Sequence, residues 1–580
     1  MIFVNNLIIV FSSLYNGIIM VIFKSFISIF FISFFTVIYY YLLGLIYNLN
    51  QSSKNDNIEP NSIFFQILKG IILVSFFALL IHFFLPLNIY INSFLILIIF
   101  ILSFFNKNIY FVKKNIDKLL IISFISTLFI IFSNINRPDA ALYHLPYVSY
   151  LNEQKLVIGL NNIHFRFGVS SIIQYLSAIN YNILFGVNGI SVPLSILALT
   201  IIFYFLEKII GCIKNRNFDL EFFFILFVTI FIAYKMNRYS GYGNDNTTHL
   251  LYFLLISILL NSEYKKNFDL ICYISIFIFL NKNTYILVLL IPLIYFFKNK
   301  IHYNRINFVK KIISPHAIFL YLWLIKNVLI SGCIIFPITS SCFSDLAWSK
   351  EQKTVTQISQ SGEAWSKGWP QYDGDLNVED FNKKFQWLSS WTKTHAKLIL
   401  KILLPYILFL ILIVCLIRFQ KEKKSFLEKN KDLNLIILIN LIFVCIFFFK
   451  FPLLRYGSSY LITLISLLLI SQINEFNINF VNKLSKILFL LIIVVFNLKQ
   501  IVKIKNNFHR EYLNKPWPNI FTLDDKTIYK KDKFITYKNL NIYYSNKECA
   551  YSKSICGNYK PQNSLEIIDI GGYYIIKSDN

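Results

Sequence analysis

Long apolar runs recur along the whole of this chain, and no water-soluble core can absorb them. A run that crosses a bilayer needs about 20 apolar residues, roughly 17 to 25. Such runs stand near 3–22, 26–47, 64–86, 89–105, 117–134, 190–207, 220–236, 247–261, 268–281, 284–298, 312–331, 396–418, 434–450, 457–472 and 484–499. The short pair within 268–298 leaves the count at about 13–15. Charged residues are only 15% of the chain, against about 25% in soluble domains. Apolar residues are 56%, which excludes a disordered chain. The expected fold class is an all-α polytopic membrane protein with a small α+β or β domain at its C-terminal end.

A net charge of +26 in a soluble protein would suggest nucleic acid. Here the cations sit in short connectors between apolar runs, where they act as topology signals beside anionic lipid. The expected partner is the lipid bilayer, and no nucleic acid. The connectors holding Lys107, Lys113 and Lys114, then Lys208, Lys214 and Arg216, then Lys265 and Lys266 alternate with less basic ones. So do those with Lys298 to Lys311, Arg418 to Lys431, and Lys483 and Lys486. The positive-inside rule makes this set cytoplasmic. It predicts an inner-membrane, multi-pass protein with a cytoplasmic N-terminus and a periplasmic C-terminus.

The other set holds the irregular sequence: 135–168, 237–246, 332–395, 451–456 and the tail 500–580. Function is expected there, since loops carry binding and catalytic groups on a rigid frame. The implied organisation is N-terminal helices over 1–116, a core over 117–331 with its first outer loop at 135–189, an outer loop at 332–395, C-terminal helices over 396–499 and a tail domain over 500–580. Segment 170–189 is apolar but interrupted by Ser, Gln and Asn. Its crossing would invert the charge alternation downstream, so an amphipathic helix on the outer interface is expected.

Within the first outer loop, Pro138-Asp139 is a helix start, and capping is the plain role for Asp139. Tyr143, Tyr147 and Tyr150 share its face at helical spacing, with Pro146 a break point. His144 lies about 140° round from it on an unbroken helix. Arg166 has Glu153 as a candidate partner. The stretch NRYSGYGNDNTTH holds Arg238, two turn-permitting glycines, and Asp245 and His249 four apart on one helix face. Asn244 or Asp245 caps the next helix with His249 bonded locally, or Asp245 and His249 back the site as an acid and a base, or Asp245 joins Asp139 at a divalent cation; two ligands alone define no metal site. Loop 332–395 holds Trp348, Trp365, Trp369, Trp387 and Trp391, suited to a sugar platform or to an interfacial lid. The tail runs KFITYKNLNIYYS and SLEIIDIGGYYIIKS read as strands. Cys333/Cys342 and Cys549/Cys556 are close pairs that can form disulfides on an oxidising side. Cys212, Cys272, Cys415 and Cys445 read as packing residues.

An acid just outside an early span, a Tyr-rich amphipathic helix and a second such helix ending in LFGVNG follow one another in order. Lys326-Asn327 leads to Gly332 and Pro337, and Arg455-Tyr456 opens a late span. Over roughly 117–472 this resembles the GT-C-type membrane glycosyltransferases, which take a sugar from a polyprenyl-phosphate donor. The resemblance implies transfer to an envelope glycan or lipid on the periplasmic side, as in polysaccharide biosynthesis. It assigns Asp139 as catalytic or metal-site acid. His144 on the same loop is a further catalytic candidate, and a divalent cation is the one cofactor in view. Phosphate and substrate would be held by Tyr143, Arg166, Arg238, Asp245, His249, Lys326, Arg455 and Tyr456, because guanidinium forks match phosphate oxygens. An O-antigen-type polymerase is the rival enzyme and would rest on arginines in two outer loops. A lipid-linked-sugar flippase or transporter would need charge or broken helices at mid-span, and the spans carry little charge away from their ends.

Overall fold

The computed structural model describes residues 2–49, 62–106, 108–132, 139–237, 239, 241, 245–261, 268–298, 314–383, 385–420, 425–427, 432–508, 531–545, 549–552, 554–558 and 565–578. The chain is mostly helical, with a small strand-containing C-terminal region. Helices take the apolar runs because a helix satisfies its backbone groups internally, leaving an apolar surface with no unmet polar atom. Among the described residues six helices are long and apolar enough to cross a bilayer: Phe23–Tyr47, Ile63–His82, Gly186–Asn215, Trp387–Arg418, Leu433–Lys450 and Ile478–Asn506. Shorter apolar helices of 10–17 residues pack among them.

Two expectations are corrected. The runs near 3–22 and 26–47 belong to one continuous helix, Ile2–Leu49. Phe23-Lys24-Ser25 contains no Gly or Pro, and a single lysine does not stop a helix. Segment 170–189 is not one exposed amphipathic helix: Ile183 and Leu184 are exposed, but its helical part is not. Its helix, Ile172–Ile179, is buried on every face. Ser171 and Gln174 close a capping box at its start, and it packs between the Ile63–His82 and Leu145–Glu153 helices.

Glycines bring the first two helices together. A Cβ on Gly44 would lie 2.0 Å from the Gln66 carbonyl oxygen, and one on Gly70 would lie 1.8 Å from that of Tyr40. Only hydrogen fits at both points, so the backbones touch there.

The helix ends form two polar layers. At the end carrying the basic connectors, Lys208 pairs with Glu221 at 3.0 Å, Lys118 with Glu207 at 2.5 Å, and Lys298 with Asp432. Short strands Ser425–Phe426 and Glu475–Phe476 pair antiparallel beside them. The tail lies at the other end. Its strands Lys531–Tyr537 and Leu540–Ser545 pair antiparallel, Cys556–Gly557 adds in parallel, and Leu565–Ile570 pairs with Tyr573–Ser578. Cys333–Cys342 and Cys549–Cys556 are both disulfides. Of the other cysteines, Cys212 and Cys272 are buried as expected, whereas Cys415 is half-buried and Cys445 is exposed on its apolar helix.

The tail docks on the first outer loop. Ile158 and Ile575 form a parallel bridge, and the Asn162 side chain donates to the Ile576 carbonyl at 2.9 Å. Gly159 adopts φ +74° where a Cβ would strike that same carbonyl. The Cys549 and Ala550 N–H groups both donate to the Ala141 carbonyl, at 3.2 and 2.8 Å.

Candidate functional site

Asp139 opens not an α-helix but a π-turn, Ala140–His144, that runs into the Leu145–Glu153 helix. Pro146 explains the wide turn. Its ring crowds the carbonyl four residues back, and the wider loop, with Leu145 N–H donating to the Ala140 carbonyl, relieves it. The Asp139 side chain makes no capping bond. It accepts instead from Arg166 at 3.3 Å. Arg166 pairs with Asp139 and not with Glu153, which accepts from the Ser554 N–H of the tail at 3.0 Å. The Arg166 guanidinium lies 4.7 Å from the Tyr143 ring centre, a cation–π contact.

Asp245 is the first residue of the Asp245–Leu260 helix and pairs with Lys282. Lys282 sits between the apolar stretches Phe268–Asn281 and Asn283–Lys298, and it was not among the expected site residues. Its polar surroundings, Asn281-Lys282-Asn283-Thr284, were the available signal. Its ammonium also lies 4.4 Å from the Tyr456 ring centre and 3.4 Å from the Arg455 carbonyl.

Arg455 and Tyr456 open the Leu454–Ile470 helix. The Arg455 guanidinium donates to the Tyr456 hydroxyl at 2.9 Å and faces the half-exposed Trp365 ring at 5.2 Å. Arg455 feels both Asp245 and Asp139. Tyr143 feels Asp139 and Arg166 on its own loop and Tyr456 and Arg455 opposite. Burial first, and then Asp139, pushes the Tyr143 phenol well up. Five separate segments thus meet at one polar cluster: 139–143, Arg166, Asp245, Lys282 and 455–456.

The expected histidines support this cluster from behind. His144 is buried and bonds Gln174 through Nδ1 at 3.2 Å. Burial pushes it down to about 4, against a smaller upward pull from Asp139. It is therefore neutral near pH 7 and serves packing better than cation duty. His249 bonds Ser459 Oγ at 3.2 Å and the Arg455 carbonyl at 3.1 Å, holding the turn that aims Arg455. Asn281 donates to Thr247 and Thr248, both at 2.9 Å, and accepts from Ser171 at 2.8 Å. That chain ties three helices beneath the site.

Lys326 stands apart from these acids. Its ammonium is buried, donates to Ser170 Oγ at 2.6 Å and lies 3.4 Å from the Trp323 ring centre. Arg238 lies outside the described residues. Most loop tryptophans do not face the site. Trp387 is buried, with Trp369 and Trp391 packed around it and Phe381, and the Trp391 indole donates to the Pro452 carbonyl at 2.7 Å. Trp348 donates to the Val328 carbonyl at 2.9 Å. Only Trp365 of the five meets Arg455. Among the described residues no group of three or more His, Cys, Asp or Glu side chains gathers at metal-binding range. Asp139 and Asp245 each hold a cationic side chain instead.

Residues 26–462 match the family described as Domain of unknown function (DUF8201). The match covers more than half of the chain, and the chain belongs to that family. No curated protein and no solved structure matches it. The candidate site lies within the matched span, whereas the docked tail lies beyond it.

Proposed function

We propose that this chain is a polytopic protein of the bacterial inner membrane and a GT-C-like glycosyltransferase. In this reading it moves a sugar from a polyprenyl-phosphate donor to an envelope glycan or lipid on the periplasmic side. The tail and the 332–395 loop are then periplasmic, where both disulfides are favoured. The observation that carries the reading is the convergence of two carboxylates and three cations from five separate segments at one end of an apolar bundle. Glycosyl transfer needs an acid–base group at the acceptor and positive charge at the leaving phosphate. Asp139, held by Arg166 and about a third exposed, takes the acceptor's proton. Arg455 and Lys282 take the phosphate. Asp245 keeps Lys282 in place, and Trp365 offers a face to a sugar ring.

The test is Asp139→Asn, scored by surface glycan with membrane insertion confirmed by fractionation. Loss of a general base removes about 10²- to 10⁴-fold in rate, so the glycan should vanish. Glycan at wild-type level would overturn the assignment.

One observation favours the polymerase as a second reading: Arg166 and Arg455, from different outer segments, both belong to the cluster. A polymerase that relies on them keeps its product in Asp139→Asn and loses it in Arg166→Lys and Arg455→Lys, since lysine cannot reproduce the guanidinium fork. The glycosyltransferase fails in all three.

A further inference from the structure

Two cations of the polar cluster stand close together. The Lys282 ammonium lies 4.4 Å and the Arg455 guanidinium 4.9 Å from the centre of the same Tyr456 ring. Like charges this near repel. Asp245 pairs directly with Lys282. The Arg455 side chain meets Tyr456 and Trp365, neither of them an acid, so its place depends on the backbone turn beneath it. That turn is gripped at the Arg455 carbonyl, by Lys282 at 3.4 Å and by His249 Nε2 at 3.1 Å.

The grip decides where His249 carries its proton. A carbonyl only accepts, so Nε2 holds the hydrogen and Nδ1 is bare. Nδ1 then needs a donor. The Tyr285 hydroxyl lies 3.0 Å from it and Ser459 Oγ 3.2 Å, and the two oxygens are 2.8 Å apart. All three residues are buried. Ser459 sits one turn beyond Arg455 on the Leu454–Ile470 helix. Tyr285 follows Lys282 by three residues, where the chain leaves the helical path at φ −94° and ψ 20°. The 282–285 turn therefore reaches the Arg455 turn twice, directly through Lys282 and through Tyr285 by way of His249. The rings of Tyr460 at 4.7 Å and Tyr252 at 6.2 Å box Tyr285 in, and the Tyr252 hydroxyl is itself tied to Asn440 at 2.7 Å. A buried tyrosine that only packs can satisfy its hydroxyl on backbone, as Tyr239 does on the Ile232 and Met236 carbonyls. Tyr285 spends its hydroxyl on the side chain that grips Arg455.

We infer that Tyr285 is a positioning residue: through His249 it fixes the Arg455 turn against the Lys282 turn, so that the two cations keep one spacing before a ligand arrives. Charge preorganised in this way does not have to rearrange when an anion enters. Tyr285 itself touches no substrate in this assignment. The fixed spacing follows from the contacts alone, whereas a phosphate as the anion rests on the proposed function.

The test uses the full chain in lipid nanodiscs and two measurements. The first needs no ligand. Arg455 faces the Trp365 ring at 5.2 Å, so the emission of Trp365, taken as the difference against Trp365→Phe, reports where the guanidinium stands. It should shift in Tyr285→Phe and in His249→Asn. It should hold in His249→Gln, whose amide nitrogen can meet the Arg455 carbonyl as Nε2 does. Unmoved emission in Tyr285→Phe would overturn the inference. If that variant does not fold, the two His249 variants decide, and equal emission from them would overturn it. The second measurement is the Kd of farnesyl phosphate. Tyr285→Phe should raise it about tenfold, the worth of one buried hydrogen bond. In an Arg455→Gln background the same change should cost less than about twofold, since the residue through which it acts is gone. Equal losses in the two backgrounds would overturn the inference as well. An unaltered chain that does not bind farnesyl phosphate, with Trp365 emission moving as expected, would count against the glycosyl-transfer reading and leave the positioning standing.

Discussion

Lys282 shows what one residue holds together. It is almost fully buried, and Asp245 beside it is largely so. Removing one partner of such a pair leaves a buried charge uncompensated, at a cost of about 3 kcal/mol or more. Lys282→Met should therefore lower the detergent melting temperature sharply, and Asp245→Asn added to it should recover most of the loss. If the double variant melts no higher than Lys282→Met, the pair is not the reason. The buried histidines give a second, pH-dependent expectation. Burial pushes His144 and His164 each down to about 4. A histidine depressed in the fold contributes stability that is present above its unfolded value, about 6.5, and lost as pH falls toward 4. At pH 5 each has given up about 2 kcal/mol. Melting temperature should drop from pH 7 to pH 5, and less so in His164→Gln, whose amide can still meet Asn558. Sequence made Asp139, Arg455 and Asp245 visible because each stands at the edge of an apolar run. It did not reveal their partners. Arg166 had two acids within reach along the chain, and the fold pairs it with Asp139.

Among the elements, the short ones were the least legible. An apolar helix announces itself by composition alone, and the tail hairpins by alternation and turn residues. The π-turn at 140–144 follows from Pro146 meeting a helix already begun, and helical spacing drawn on a regular helix misplaces His144. The Ile172–Ile179 helix has an interfacial pattern, yet tertiary packing buries all of it, because Ser171 and Gln174 satisfy its polar start within the core. The tail's role was likewise hidden, since its contacts span some four hundred residues of sequence. The Cys549–Cys556 loop presents two N–H groups to the Ala141 carbonyl inside the π-turn. Cys549→Ser/Cys556→Ser should thus loosen the turn that carries Asp139, by about 2 kcal/mol if the cross-link acts on the unfolded chain. Faster hydrogen exchange in 139–153, with the Leu433–Lys450 helix unchanged, would register it. Unchanged exchange in 139–153 would mean that the tail merely rests on the loop. Gly70→Val tests a different contact. Its added carbons meet the Tyr40 carbonyl, so overpacking of about 1–3 kcal/mol is expected, read as an earlier melt.

On the scale of the whole molecule, apolar runs and basic connectors made a two-sided architecture legible, and the fold sorts the polar groups accordingly. Lys208–Glu221, Lys298–Asp432 and the short Ser425–Phe426 strand gather at one end. Asp139, Asp245, Lys282, Arg455 and the tail gather at the other. What composition could not supply is the convergence itself, since residues more than three hundred apart along the chain meet only through helix packing. The sidedness yields a direct expectation. With Cys415 and Cys445 replaced by serine, Asp345→Cys in the outer loop and Asp269→Cys beside a basic connector are both exposed. A maleimide that cannot cross the membrane should label the first in intact spheroplasts and the second only after the membrane is opened. Labelling of both from one side would mean that the helices between them do not alternate across a bilayer. The cluster would then sit in the middle of a different architecture, with no lipid-borne substrate within reach.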